Sequence, residues 1–120
     1  LRERGRNVRV IDAGVSGGVW GLENGYALMV GGTAEDVAKV QPVFDALRPP
    51  DPVDESGQPI PGAGFVHAGP VGAGHFSKMV HNGIEYALMQ AYGEGYELLA
   101  AVDLVEDVPG VIKSWTQGTV

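Results

Sequence analysis

The sequence predicts an α/β segment followed by an all-helical one. Up to residue 69, short runs rich in Val, Ile and other apolar residues alternate with glycine-rich loops, which is typical of strands. One helical pattern, Val37–Leu47, lies between two of these runs, and this strand–helix–strand order predicts an α/β arrangement. From about His75 onward the apolar residues follow a helical period without further strands.

The first half of the chain contains two predicted strands and one predicted helix. Asn7–Asp12 alternates and is rich in Val and Ile, so it predicts a strand. The glycine-rich stretch Ala13–Gly25 predicts a loop. Tyr26–Val30 is a short apolar run that predicts a buried strand. Thr33 is a candidate N-cap for a helix that ends at about Leu47.

The second half is dominated by one long helical pattern. Residues 49–64 are rich in Pro and Gly and predict a loop, and Phe65–Ala68 predicts another short strand. The long pattern runs from about His75 to Val102, which at 1.5 Å per residue is roughly 40 Å. Pro109 is expected in the first turn of a further helix.

Composition excludes several classes of function. The 120 residues include 8 Lys and Arg against 15 Asp and Glu, a net charge of −7, which argues against a nucleic-acid or anionic-membrane surface. The chain has no cysteine, so disulfides, thiolate catalysis and cysteine-based zinc sites are excluded. No apolar run reaches the roughly 18–20 residues that a membrane-spanning helix needs.

The two ends of the chain lead us to expect an internal piece of a longer polypeptide. The chain begins with Leu rather than Met, and Leu1–Gly5 resembles the last turn of a helix that Gly5 ends at a C-cap position. At the far end, Ser114–Val120 contains no evident terminator.

Five polar residues fall on one face of the predicted long helix. Lys78, His81, Asn82, Glu85 and Tyr86 stand at i, i+3, i+4, i+7 and i+8, which at about 100° per residue forms one stripe. Its neighbours are mostly apolar, so the stripe is narrower than a solvent-facing one usually is. An amine, an imidazole, an amide, a carboxyl and a phenol together can move protons and hold a polyhydroxy ligand. The alternative is a surface stripe with a Lys–Glu pair.

Lys78 and Glu85 can divide base and acid work in one buried cleft. Burial lowers the pKa of a lysine and raises that of a carboxylic acid, so each would supply the form that proton transfer needs near neutral pH. Seven residues of helix separate them by about 10 Å along the axis. That distance suits two atoms a few bonds apart on one substrate.

The other glycine-rich segments and the other histidines are weaker indications of a functional site than the polar stripe. Asp12–Gly18 follows a strand, and its backbone N–H groups and the Ser16 hydroxyl could approach an anion; the alternative is a tight turn. Gly72–Ser77 nearly matches G-x-G-x-x-G before a helix but lacks the third glycine, so it predicts no phosphate-binding fingerprint. His67 and His75 are expected to make structural hydrogen bonds. The three histidines lack i,i+4 spacing, and we expect no metal site.

Two motifs resemble those of a known family. Residues 69–82, G-x-x-G-x-G-x-x-x-K-x-x-x-N, resemble the signature of the β-hydroxyacid dehydrogenases. Residues 74–86, GHFSKMVHNGIEY, are similar to the decarboxylating 6-phosphogluconate dehydrogenases in particular. The Ser-Gly-Gly loop at 16–18, followed by Gly31 and Gly32, resembles that family's substrate loop, and residues 18–32 look closer to its short bacterial branch. The resemblance covers essentially the whole chain.

The resemblance implies both a fold and a reaction. Residues 1–69 would be the C-terminal part of a Rossmann-like dinucleotide-binding domain, and residues 70–120 the start of a helical substrate and dimerisation domain. The implied reaction is NAD(P)-dependent oxidative decarboxylation of 6-phosphogluconate to ribulose 5-phosphate and CO2.

The resemblance also implies roles for residues at matching positions. Lys78 would be the general base that takes the proton of the C3 hydroxyl, and Glu85 the general acid that protonates C1 of the enediol. The remaining implied residues bind the substrate: its hydroxyls by His81 and Asn82, its phosphate by Tyr86, and its carboxylate end by Ser16, Gly17 and Gly18.

The chain departs from the family pattern in what it lacks. The family's N-terminal G-x-G-x-x-G unit and its C-terminal basic residues, which complete the phosphate pocket in part from a partner subunit, are not in this sequence. We therefore expect the chain alone to be inactive, and NAD and NADP stay open as cofactors because the discriminating residues lie upstream of Leu1. The implied protein is a cytoplasmic homo-oligomer, a dimer or tetramer, without nucleic-acid or membrane partners.

Two alternatives belong beside this interpretation. Another β-hydroxyacid dehydrogenase, acting on a small 3-hydroxy acid without decarboxylation, would share Lys78 and Asn82 but would not need His81, Glu85 and Tyr86. A non-catalytic dimerisation module would instead bury the apolar face of the long helix against a second copy. That face contains Phe76, Met79, Ile84, Leu88, Tyr92 and Leu99.

Overall fold

Three short strands form one sheet. In the computed structural model, which describes residues 8–118, β1 (Asp12–Ser16) pairs antiparallel with β2 (Ala27–Gly31). β2 pairs parallel with β3 (Phe65–Gly69), so the strand order is β1-β2-β3. The helix end predicted at Leu1–Gly5 lies outside the described residues.

Four α-helices accompany the sheet. They are α1 (Gly21–Asn24), α2 (Ala34–Leu47), α3 (Ala73–Ala100) and α4 (Val108–Ser114), and a single 3-10 turn, Gly18–Trp20, precedes α1. The succession confirms the predicted α/β segment followed by helices. Apart from the first strand, the predicted strands and helices are confirmed, with ends that agree to within two residues.

The first strand is displaced from its predicted place. The prediction of a strand at Asn7–Asp12 and a loop at Ala13–Gly25 is wrong, because β1 occupies Asp12–Ser16 and a 3-10 turn and α1 follow it. Pairing with β2 defines the strand, and such tertiary pairing overrides the strand propensity of the preceding Val and Ile. Val8 and Val10 are exposed instead.

One face of the sheet packs against α2. Thr33 caps this helix as predicted, its hydroxyl oxygen accepting a hydrogen bond from the Asp36 N–H at 3.2 Å. Alternate residues of β2 point toward α2 because successive strand side chains face opposite sides of a sheet. The buried core of this layer consists of Leu28, Val30, Val37 and Phe44.

The opposite face of the sheet meets the first turns of α3 through glycines. A Cβ added to Gly14 would lie 2.5 Å from the Gly74 carbonyl oxygen and 2.6 Å from the Lys78 Cβ. A Cβ added to Gly74 would in turn collide with the carbonyl of Met29 on β2. Backbone therefore lies directly on backbone at this contact, which only glycine permits.

Contacts divide the chain into two units, Leu1–His81 and Asn82–Val120. The division lies within α3, and the predicted domain boundary at residues 69 and 70 stays a prediction. In the second unit, Asp107 caps α4 by accepting a hydrogen bond from the Gly110 N–H at 2.9 Å. Within residues 8–118, no helix combines the length and apolar character needed to cross a membrane.

Replacing Gly14 with Ala is expected to lower the free energy of unfolding by about 1–3 kcal/mol, the usual cost of overpacking. The new methyl group would force α3 away from β1. As a control, Gly95→Ala places a methyl group in open space within α3 and is expected to stabilise the helix by up to about 1 kcal/mol. Urea denaturation followed by circular dichroism measures both, and equal stability of the two variants would contradict the backbone contact.

Candidate active site

β1 and α3 bring three of the predicted site residues together. The Lys78 ammonium donates a hydrogen bond to the Ser16 hydroxyl at 3.0 Å, and its Nζ lies 3.3 Å from Nδ1 of His81. Lys78 and Ser16 are half-buried, whereas His81 is exposed. Residues that are 62 positions apart in the sequence thus meet because α3 packs across β1.

The other three stripe residues lie further along α3, in the second unit. Asn82 is half-buried, and Glu85 and Tyr86 are exposed. Glu85 therefore does not lie in a buried cleft within the described residues, and its role as general acid stays a prediction. These residues keep their helical spacing, so they remain on the stripe that begins at Lys78.

Gly17 and Gly18 form the loop directly after Ser16. Both have positive φ angles, 149° and 52°, which favour glycine. A Cβ on Gly18 would meet no atom within 4 Å, so the backbone here is open to a ligand. The loop continues into the 3-10 turn rather than into a second strand.

Asp12 fixes the start of α3, and the sequence indicates this only indirectly. Its Oδ1 accepts a hydrogen bond from the Gly72 N–H at 2.6 Å, and its Oδ2 accepts one from the His75 N–H at 2.7 Å. The His75 ring nitrogen Nδ1 lies 2.9 Å from the same Oδ2. A helix that begins after glycine has no side chain of its own to cap it, and this is the one sequence signal that a distant acceptor was needed.

Occupation of these N–H groups shows why residues 72–77 do not form a phosphate site. The amides at the start of a helix are the groups that bind phosphate, but here the Asp12 carboxylate already accepts from Gly72 and His75. The near-match to G-x-G-x-x-G is therefore a capped helix start. Residues 72–77 do not fit a dinucleotide cofactor.

The pKa of Asp12 is set by opposing effects. Burial raises it, since the side chain is only 11% exposed. The hydrogen bonds from Gly72 and His75, together with the charge of the His75 ring, outweigh burial and hold the pKa below its ordinary value of 3.8. The carboxylate is therefore charged at neutral pH, the form that accepts three hydrogen bonds.

A cavity of about 280 Å³ opens beside Ser16 and His81. Its remaining wall is apolar, and a mainly apolar pocket with a few polar groups is the usual form of a small-molecule site. The apolar lining comes from β2, β3 and the residue before β3: Ala27, Leu28, Met29, Gly64, Phe65 and Val66.

The other two histidines have the structural roles expected of them. The His67 ring nitrogen Nε2 lies 2.8 Å from the Gly32 carbonyl oxygen and 3.1 Å from that of Gly69. His75 pairs with Asp12. In the described part of the chain, no group of three His, Asp or Glu side chains is placed to hold a metal ion.

Two family models match the chain, one on each side of the proline-rich loop. Residues 2–48 match the NAD binding domain of 6-phosphogluconate dehydrogenase. Residues 74–120 match the C-terminal domain of the same enzyme. The chain belongs to the 6-phosphogluconate dehydrogenase family. This agrees with the predicted Rossmann-like segment followed by a helical domain, and it supports NAD or NADP as the cofactor of the family member.

Curated members of the 6-phosphogluconate dehydrogenase family are similar along nearly the whole chain. The NAD(+)-dependent, decarboxylating 6-phosphogluconate dehydrogenase of Haloferax volcanii is 48% identical over 92% of this chain and 33% of its own length. The putative 6-phosphogluconate dehydrogenase YqeC of Bacillus subtilis is 39% identical over 100% of this chain and 36% of its own length. A decarboxylating 6-phosphogluconate dehydrogenase of Staphylococcus aureus is 40% identical over 92% of this chain and 23% of its own length. The chain thus spans between about a quarter and a third of these relatives' length.

Asp12→Asn is expected to flatten the dependence of stability on pH. Because the folded-state pKa of Asp12 is lowered, its charged form stabilises the fold at neutral pH, and that contribution is lost as the pH falls through the folded-state pKa. The wild-type urea midpoint should therefore fall as the pH drops from about 5 to about 3. Asp12→Asn should start lower at neutral pH and fall less.

Asp103→Asn, an exposed carboxylate in the second unit, is the control for removing one acidic group. Other carboxylates with lowered pKa values, such as Asp36 and Asp51, contribute to the acid slope in every variant. The difference between the two variants isolates Asp12, and identical acid slopes in both would refute the assignment.

Proposed function

We propose that this chain supplies the catalytic helix of an enzyme that converts 6-phosphogluconate to ribulose 5-phosphate and CO2 with NAD or NADP. The observation that carries the proposal is the 3.0 Å hydrogen bond between Lys78 and Ser16. It joins the only amine of the polar stripe to the Ser-Gly-Gly loop, so that a base and an open backbone face one another. The name of the Haloferax volcanii relative supports both the substrate and the decarboxylation.

Lys78 is the general base of the first step in this proposal. As a neutral amine it takes the proton of the C3 hydroxyl, and the C3 hydrogen leaves as hydride. A bound nicotinamide would supply the acceptor for that hydride. Ser16 and His81 lie within hydrogen-bond distance of Nζ, and each can orient the amine toward the substrate hydroxyl.

Loss of CO2 from the resulting 3-keto acid places an electron pair on C2 and the C3 oxygen. The Lys78 ammonium can return its proton to that oxygen, which gives an enediol. Glu85 then protonates the former C2, which is C1 of the enediol, while Lys78 takes back the proton of the former C3 hydroxyl, and the ketone product results. Glu85 is exposed in this chain, so its carboxyl group is accessible to a substrate lying over α3.

The proposed substrate-binding residues are those that the family resemblance implies. We propose that His81 and Asn82 hold substrate hydroxyls and that Tyr86 contacts the phosphate. Ser16, with the backbone of Gly17 and the open backbone of Gly18, binds the carboxylate end. In this arrangement residues 1–69 belong to the cofactor domain and residues 70–120 to the substrate domain. We expect the chain alone to be inactive because it spans only about a quarter to a third of its relatives' length.

An exposed apolar face supports assembly with further protein. In the second unit, Ile84, Leu88 and Tyr92 are 59%, 54% and 75% exposed, and exposed apolar patches of this kind mark interfaces. We propose that this face is buried in the full-length protein, in part against a second subunit of a homo-oligomer in the cytoplasm.

Lys78→Met should lower turnover of 6-phosphogluconate by at least about 10²–10⁴-fold, the usual contribution of a general base. The measurement is the near-ultraviolet absorbance of reduced nicotinamide with either cofactor, in a full-length protein that contains this chain. Lys39→Met, the same change on the exposed side of α2, should leave turnover unchanged. No turnover by the unaltered protein would remove 6-phosphogluconate as substrate and favour small 3-hydroxy acids.

Glu85→Gln should slow turnover while leaving substrate affinity nearly unchanged, because the general acid acts after binding. Calorimetric titration with 6-phosphogluconate separates affinity from rate. Glu94→Gln is the matched control, since Glu94 lies exposed on the same helix. An equal loss in both variants would show that Glu85 contributes only general charge.

A further inference from the structure

We propose that Asp12 is a positioning residue for Lys78: it holds the start of α3 so that the amine meets Ser16. The inference rests on the proposed function, in which Lys78 is the general base. It adds a residue that touches neither substrate nor cofactor in that scheme, and it assigns the accuracy of the site to a contact outside the polar stripe.

Three alternate residues of β1 contact α3 in succession. Asp12 accepts hydrogen bonds from Gly72 and His75 at the start of the helix. Gly14 lies against the first turn, where a Cβ would be 2.6 Å from the Lys78 Cβ. Ser16 accepts from the Lys78 amine. Residues i, i+2 and i+4 of a strand share one face, so a single face of β1 positions the helix.

Within residues 8–118, Asp12 is the side chain from outside the helix that accepts hydrogen bonds at the start of α3. Gly14 contributes only backbone, and such a contact limits how close α3 comes without stopping it from sliding or turning. Both Asp12 oxygens are engaged, one with the loop at Gly72 and the other with His75. An amide in place of the carboxylate has one acceptor oxygen and one donor nitrogen, so Asn cannot accept from both sides.

The helix transmits this anchoring to the amine. His75 and Lys78 are three residues apart within α3, so they lie on neighbouring turns of the same face. A shift at His75 therefore moves Lys78 with it. Misplacement of a reacting group by about 1 Å can cost about 10²-fold in rate. The proposed binding residues further along α3 shift with it, so the KM is expected to rise as well, but by less than kcat falls.

The first test is steady-state kinetics of Asp12→Asn in a full-length protein that contains this chain. We expect kcat to fall by about 10- to 100-fold, with a smaller rise in the KM for 6-phosphogluconate. Thr33→Ala is the matched control because it removes the N-cap of α2 in the same unit. It should lower Tm while leaving kcat unchanged, so that a loss of kcat in Asp12→Asn alone cannot be ascribed to a weaker fold.

The second test measures Lys78 without substrate or cofactor. Competitive acylation with trace acetic anhydride, read by mass spectrometry, compares the reactivity of Lys78 with that of exposed Lys39 in the same sample. We expect Asp12→Asn to change the Lys78 to Lys39 ratio several-fold and Thr33→Ala to leave it unchanged. An unaltered ratio together with an unaltered kcat in Asp12→Asn would overturn the proposal.

The two tests separate this inference from the proposed function. If the unaltered protein fails to turn over 6-phosphogluconate, the proposed function fails, and the acylation ratio still decides the role of Asp12. If Asp12→Asn does not fold, Asp12→Glu replaces it, since Glu keeps the charge and both oxygens but displaces them by one methylene. A folded Asp12→Glu with a lowered kcat and a changed ratio supports positioning, and wild-type values of both overturn it.

Discussion

One carboxylate joins the sheet to the helix that carries the proposed catalytic residues. Asp12 accepts two backbone hydrogen bonds and lies against the His75 ring nitrogen at the start of α3, and both proposed catalytic side chains, Lys78 and Glu85, lie downstream on that helix. Hydrogen bonds to a charged acceptor are about twice as strong as those between neutral groups. A nearly buried one resists exchange with water, which suits it to fix geometry.

The glycines beside this contact explain how close the helix can come. Because Gly14 and Gly74 have no side chains, β1 and α3 meet backbone to backbone. The Lys78 Cβ lies at the same contact between β1 and α3, so the amine reaches the Ser16 hydroxyl without extending into solvent. The opposite face of the sheet is ordinary by comparison, with Val30 and Phe44 buried between β2 and α2. The face of the sheet that packs on α2 thus holds the apolar core, and the face that contacts α3 positions Lys78.

Local patterns were sufficient for most of the fold. The apolar period and the Thr33 cap located α2, and the long period located α3 to within two residues. The first strand was misplaced because its Val- and Ile-rich approach has the higher strand propensity, whereas pairing with β2 selects Asp12–Ser16. Propensity is local, and pairing is decided by the rest of the sheet.

The candidate site was predicted in part, for the same reason. Helical spacing and the family resemblance identified the stripe from Lys78 to Tyr86, and the resemblance added Ser16. The partner of Ser16 is 62 residues away, and the partners of Asp12 are 60 and 63 residues away. Local spacing patterns relate only residues that are close in sequence, so they could not predict that Asp12 caps α3.

The missing local cap of α3 has a consequence for how the protein folds. A helix of 28 residues is long enough to form its interior from its own hydrogen bonds, but its first turn must wait for a strand made 60 residues earlier. Contacts between distant segments form slowly because the loop between them must close first. We therefore expect the sheet to form first, α3 to dock on β1 next, and the first turn of α3 to be completed last. A nascent chain can be largely helical along α3 well before Lys78 is next to Ser16. Under the proposed function, catalytic competence is therefore a late event of folding.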